Sequence, residues 1–130
     1  MSECNLVRSA LKFAQRSTFW RARMSALVVS KKRILSIGIN DVRYCKDLRR
    51  RKHERSFHAE QSAIVQMIKA GRMKELKGST IIVSRIGKSN NQLMAKPCEC
   101  CHELICFVQI RKVIYTTAEG VEEYVIKSRS

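Results

Sequence analysis

Two short segments, His58-Ala59-Glu60 and Pro97-Cys98-Glu99-Cys100-Cys101, constrain this chain more than any other feature. They supply one imidazole, two thiolates three residues apart, a carboxylate beside the imidazole and a proline before the first thiolate. Residues three apart lie on one face of a helix, so Cys98 and Cys101 can reach one ion from a helix start. The positive end of the helix dipole also favours their thiolate forms. His58 supplies a third ligand if two helix starts converge beneath the same strand ends.

Soft thiolates with an imidazole favour zinc over magnesium or manganese. Three protein ligands leave a fourth tetrahedral position for water, which separates a catalytic zinc from a closed structural one. Cys100 is an alternative ligand that spacing does not exclude. Glu60 stands two residues beyond His58 and need not bind metal. Its carboxylate can take the proton of a water whose pKa the metal lowers toward about 7, then return protons to a ring nitrogen and a departing amine. A second reading makes Cys98, Cys100 or Cys101, and His102 a structural zinc knuckle, but that leaves the placement of Glu60 unexplained.

Composition narrows the class. With 130 residues the chain is expected to form a single domain, residues 1–130, and its 45% apolar content argues against disorder. No apolar run approaches the roughly 18 residues needed to cross a bilayer. Met1–Asn5 lacks the features of a secretory signal, so an intracellular, cytoplasmic protein is expected. Four of the six cysteines (Cys98, Cys100, Cys101, Cys106) fall within nine residues, a crowding that in a reducing compartment points to metal rather than disulfides. The 26 Lys and Arg against 11 Asp and Glu give a formal charge of +15, which implies an anionic partner carrying phosphate.

Periodicity orders the elements. Leu6, Val7, Ala10, Leu11, Phe13 and Ala14 recur at helical spacing within Cys4–Arg16. Met24–Ser30 and Ile34–Ile39 read as strands joined through the cationic Lys31-Lys32-Arg33. A polar loop, Arg43–Arg55, carries seven cationic side chains, among them Arg49, Arg50 and Arg51. Ser56 is the expected cap of a helix from His58 to Ala70, with Ala59, Ala63, Ile64, Met67 and Ile68 buried and Gly71 as its stop. Thr80–Ile86 is a strand apolar enough to be covered on both faces. Pro97 suits the first turn of a helix over Cys98–Val108 that turns Leu104, Ile105, Phe107 and Val108 inward. Lys112–Thr116 is a further strand, and Glu122–Lys127 reads as either a strand or a helical turn. This order gives an α/β sheet with helices packed against it.

The paired motif, each half opening a helix after β structure, resembles the cytidine deaminase-like superfamily, and more closely its cytidine and deoxycytidylate deaminase branch and the related tRNA adenosine deaminases. The resemblance spans most of the chain, to about Ile126. It implies a three-layer fold with a central mixed five-stranded sheet flanked by helices, one zinc per chain, and homo-oligomers, dimers or larger. Carried over residue by residue, His58, Cys98 and Cys101 match the zinc ligands and Glu60 the proton shuttle. Asn40 matches a residue that contacts sugar or base, and the backbone of Ala59 would meet the bound base. Lys96 stands where many relatives carry an acidic residue and is a candidate phosphate contact, as are Arg49, Arg50 and Arg51. Ile86–Met94 is longer and more polar than in the shortest relatives, and no second metal cluster is visible.

Three functions are compatible with these residues. One is hydrolytic deamination of a cytosine nucleoside or nucleotide to its uracil counterpart, with release of ammonia. Another is editing of cytosine or adenine within RNA or single-stranded DNA, where Trp20, Tyr44 and Phe57 beside basic stretches would stack bases. The last is a non-catalytic, zinc-stabilised nucleic-acid-binding protein. Small size suits a free nucleotide, and the excess of cations suits a polymer.

Overall fold

A computed structural model describes residues 2–17, 23–40 and 58–127. Helix α1 (Glu3–Ala14) begins where the Ser2 hydroxyl accepts the Asn5 N–H at 3.2 Å, and it buries Leu6, Val7, Ala10 and Ala14. Strands β1 (Arg23–Ser30) and β2 (Arg33–Ile39) form an antiparallel hairpin with Ser30 opposite Arg33. The two residues between them, Lys31 and Lys32, both have positive φ, 52° and 64°. A two-residue hairpin loop needs that left-handed backbone to match the twist of its strands, and here lysines adopt it in place of Asn-Gly.

Helix α2 (Ala59–Lys69) takes His58 as its N-cap residue, whose N–H is accepted by Gln61 Oε1 at 3.1 Å. The expected cap, Ser56, lies outside the described residues, as do the Arg43–Arg55 loop and Trp20, Tyr44 and Phe57. Gly71 ends the helix with φ +73°, Gly71 N–H bonding Ile68 O at 3.0 Å and Arg72 N–H bonding Met67 O at 2.9 Å. This left-handed closure is one that glycine adopts without penalty. A short helix, α3 (Met73–Leu76), follows, then β3 (Thr80–Ile86), α4 (Glu99–Phe107), β4 (Lys112–Thr116) and β5 (Val121–Val125). The ambiguous last element is thus a strand.

The strands align as β2-β1-β3-β4-β5, with β3 and β4 parallel and the other pairs antiparallel. Helix α1 covers one face, packing Leu6, Val7 and Ala10 on Leu27, Val29, Ile82 and Ile114. Helices α2 and α4 cover the other, packing Ala63, Ile64 and Ile105 on Ala26, Val28, Ile81 and Val113. The result is the expected three-layer α/β arrangement around a mixed five-stranded sheet. Two inward assignments are corrected. Ile68 is 40% and Phe107 73% exposed, because each falls outside the stripe that its helix turns to the sheet, marked by Ala63 and Met67 in α2 and by Cys101 and Ile105 in α4.

Candidate active site

Ile39 and Ile86 end their strands at the same edge of the sheet, since Ser25 of β1 pairs with both Ile39 and Ser84. The starts of α2 and α4 meet there. Gly38 makes this possible for α2, because a Cβ at that position would run into the Ala59 carbonyl oxygen and the Ala63 nitrogen. Close approach of strand and helix backbones therefore requires glycine, a requirement that sequence reading did not assign to Gly38.

At this edge His58 Nδ1 lies 3.3 Å from Cys101 Sγ and 3.7 Å from Cys98 Sγ. The three donor atoms all fall within 4.8 Å of one another. Tetrahedral zinc with bonds of about 2.0 Å to nitrogen and 2.3 Å to sulfur implies donor separations of roughly 3.5–3.8 Å. Both the donor chemistry and the spacing fit that ion. Cys100 is exposed and outside this cluster. His102, the imidazole of the knuckle reading, is engaged elsewhere, with Nδ1 2.9 Å from the Tyr124 hydroxyl and Nε2 3.4 Å from Cys106 Sγ.

Glu60 is in the second position of α2, within the stripe that faces the sheet, and only 2% exposed. Its Oε1 has no hydrogen-bond partner among the described residues. An unmatched buried carboxylate oxygen is costly, and a site that receives water and a substrate amine gives it one. Burial raises the Glu60 carboxyl above its ordinary range, while its own backbone N–H, the His58 charge and the Cys101 thiol pull the other way. Burial likewise pushes the Cys101 thiol far up, with the charges of Glu60 and Cys98 adding to it. Desolvation thus outweighs the pull of the helix start on Cys101, and a cation among the three donors is what favours the thiolate.

Asn40 is 3% exposed at the end of β2. Its Oδ1 accepts the Met24 N–H at 2.8 Å and lies 2.5 Å from Ser17 Oγ, which also bonds the Asn40 carbonyl at 2.8 Å. These bonds tie the end of β2 to β1 and to the segment after α1, a bracing role that the sequence did not announce. Ala59 is fully buried against Gly38. Lys96 is exposed, its ammonium 5.9 Å from the centre of the Tyr124 ring. Arg49, Arg50 and Arg51 lie outside the described residues.

The long Ile86–Met94 stretch is tied down at both ends. Arg23 donates to Gly87 O at 2.6 Å and Asn90 Oδ1 at 2.7 Å, and Gln92 Nε2 donates to Thr117 O and Gly120 O at 3.1 and 2.8 Å. Leu93 N–H bonds Arg85 O and Ala95 N–H bonds Thr116 O, each at 2.9 Å. The segment therefore crosses the ends of β3 and β4 along a fixed path and delivers Pro97 and Cys98 to the start of α4.

Residues 1–117 match the family described as the cytidine and deoxycytidylate deaminase zinc-binding region. Among solved structures, the chain superposes on dCMP deaminase from cyanophage S-TIM5 in its apo form, with a TM-score of 0.62, 23% identity, 88% of this chain and 84% of that one covered. It superposes on cytidine deaminase from Burkholderia pseudomallei with a TM-score of 0.67 and 16% identity over 96% and 93% of the two chains. Cytidine deaminase from Mycobacterium leprae gives a TM-score of 0.56 and 16% identity over 95% and 94%. A sequence comparison with curated proteins gives no match. The structural likenesses establish a shared fold, and the match over most of the sequence establishes more: this chain belongs to the zinc-binding cytidine and deoxycytidylate deaminase family.

Proposed function

We propose that the protein is a zinc-dependent hydrolytic deaminase converting the cytosine of a nucleoside or nucleotide to uracil with release of ammonia. The observation that carries this reading is Glu60, a buried carboxylate with an unmatched oxygen beside three metal-type donors. A structural zinc site has no use for such a group, so the non-catalytic reading leaves its burial without a return.

In this reading His58, Cys98 and Cys101 hold zinc. When bound, zinc supplies Lewis acidity that acidifies water. Ala59 through its backbone, and Asn40, held by Met24 and Ser17, orient the base. Glu60 accepts a proton as the water oxygen adds to the amine-bearing ring carbon, and passes it to the adjacent ring nitrogen. It then carries the second proton to the amine, which leaves as ammonia while the carbonyl forms. A carboxyl raised by desolvation suits both halves of that shuttle, since it holds a proton more readily than an exposed glutamate does.

The charge of +15 favours a second reading, deamination of cytosine or adenine within RNA or single-stranded DNA. The same panel tests both: zinc-loaded protein with cytidine, deoxycytidine, their monophosphates, and single-stranded RNA and DNA, following ammonia and base conversion. Conversion of the free nucleosides or nucleotides supports the first reading, and conversion confined to polymers replaces it with the second. Assembly into homo-oligomers in the cytoplasm belongs to this proposal and is checked by sedimentation and by imaging the tagged protein.

A further inference from the structure

Arg85 is a charge that the proposed chemistry leaves unused. It is the one charged residue of strand Thr80–Ile86, and sits on the face of β3 that carries Ile81 and Val83 into the core beneath α2 and α4. In register it stands opposite Met24, whose N–H is bonded to Asn40. Its position is thus the reactive edge of the sheet, on the same face as the starts of both helices. The backbone there is fixed: Arg85 N–H is accepted by Thr116 Oγ1 at 3.2 Å, and Thr116 Oγ1 in turn donates to Leu93 O at 2.9 Å.

The side chain is only partly exposed, and its Nε is buried with no hydrogen-bond partner among the described residues. Among the described residues no carboxylate forms an ion pair with it. A guanidinium cannot shed its charge, so a partly exposed one whose buried Nε has no partner among the described residues is matched by an anion that a ligand brings. Planar, forked donors of this kind match phosphate oxygens.

We infer that Arg85 is a specificity-determining residue that binds a phosphate of the substrate at the edge of the deaminase site. The inference rests on the nucleotide-deaminase reading and deepens it by naming the charge that the site selects. The phosphate can be the monoester of a free nucleotide or the diester of a strand.

The test compares wild type, Arg85→Gln and Arg85→Lys, all zinc-loaded, on deoxycytidine, dCMP and a short single-stranded DNA holding one cytosine. Arg85→Gln should raise KM for the phosphate-bearing substrate by roughly tenfold to a hundredfold, as the loss of a charge-assisted hydrogen bond implies. KM for deoxycytidine should stay within about twofold, kcat should change little, and Arg85→Lys should recover part of the loss. Whether dCMP or the oligonucleotide suffers the larger loss identifies the source of the phosphate. Equal losses on deoxycytidine and dCMP would overturn the proposal and assign Arg85 to the base or to folding.

A measurement on the wild type stands even if Arg85→Gln fails to fold. The Arg85 Nε–H resonance, assigned through Arg85→Lys, should shift when dUMP or the oligonucleotide is added and stay in place with deoxyuridine. A resonance unmoved by either phosphate-bearing ligand rejects the assignment. A shift without turnover of any cytosine substrate keeps the phosphate site and rejects the deaminase reading, whereas turnover indifferent to phosphate does the reverse.

Discussion

At one end of the sheet Lys112 reaches Glu123 at 2.8 Å and Glu3 at 3.5 Å, all three side chains partly open to solvent. At the other end Glu60 and Arg85 each bury a polar atom that the described residues leave unmatched. The first arrangement satisfies its charges where water already screens them, so it contributes little to stability. The second withholds one polar atom of each residue from water, a cost that folding alone does not explain. The difference teaches where to look for function: the unmatched groups lie at the edge where Gly38 admits the start of α2 and where the three metal-type donors meet.

If that contrast is sound, perturbations at the reactive end should act on chemistry, those between the ends on stability, and those at the far end on almost nothing. The largest effect should come from Cys101→Ser or a strong chelator. Either should abolish zinc binding and turnover together, with a thermal melt lowered because metal binds only the folded site. Metal analysis beside an ammonia assay reads both, and a Cys101→Ser protein that keeps one zinc per chain would move the ligand set to Cys100.

Ile105→Ala comes next. Ile105 of α4 is fully buried in the core cluster that it shares with residues of α2 and the sheet, so truncation should cost about 2–5 kcal/mol in denaturant unfolding. Active sites in the fraction that remains folded should turn over normally. Gly38→Ala should cost about 1–3 kcal/mol as an overpacking change, and the added methyl should push α2 off β2, lowering kcat as well. A Gly38→Ala enzyme with normal kcat would show that the close approach is not what positions His58 and Glu60. Smallest of all, Lys112→Met should change stability by no more than about 1 kcal/mol, with turnover unaffected.

Much of this division is legible in the amino-acid sequence itself. The metal donors can be read there because the chemistry needs specific residue types at short spacing, His58-Ala59-Glu60 and Cys98 with Cys101, and short spacing survives in one dimension. The buried strands are equally plain, since Ala26–Val29 and Ile81–Val83 are buried with no exposed position between them. The last strand is not, because β5 is an edge strand with only Tyr124 half-buried and so lacks the alternation that marks a strand. Phe107 and Ile68 mislead because hydrophobicity alone does not say on which side of the stripe a residue falls. Gly38 and the bracing of Asn40 by Ser17 depend on contacts between segments distant in sequence. Arg85 does leave a signal, a cation inside Ile81-Ile82-Val83-Ser84-Arg85-Ile86, which gains meaning once its face and register are known.

The central claim is that a buried carboxylate, set beside a three-donor metal site, performs proton transfer. Glu60→Gln tests it most directly, measured as zinc content, melting temperature and ammonia release from the same preparation with the best cytosine substrate of the wild type. The account predicts zinc retained, a melting temperature equal to or above that of the wild type because a buried carboxylate is gone, and turnover reduced by about 10²- to 10⁴-fold. Wild-type turnover in Glu60→Gln, with zinc in place, would contradict it.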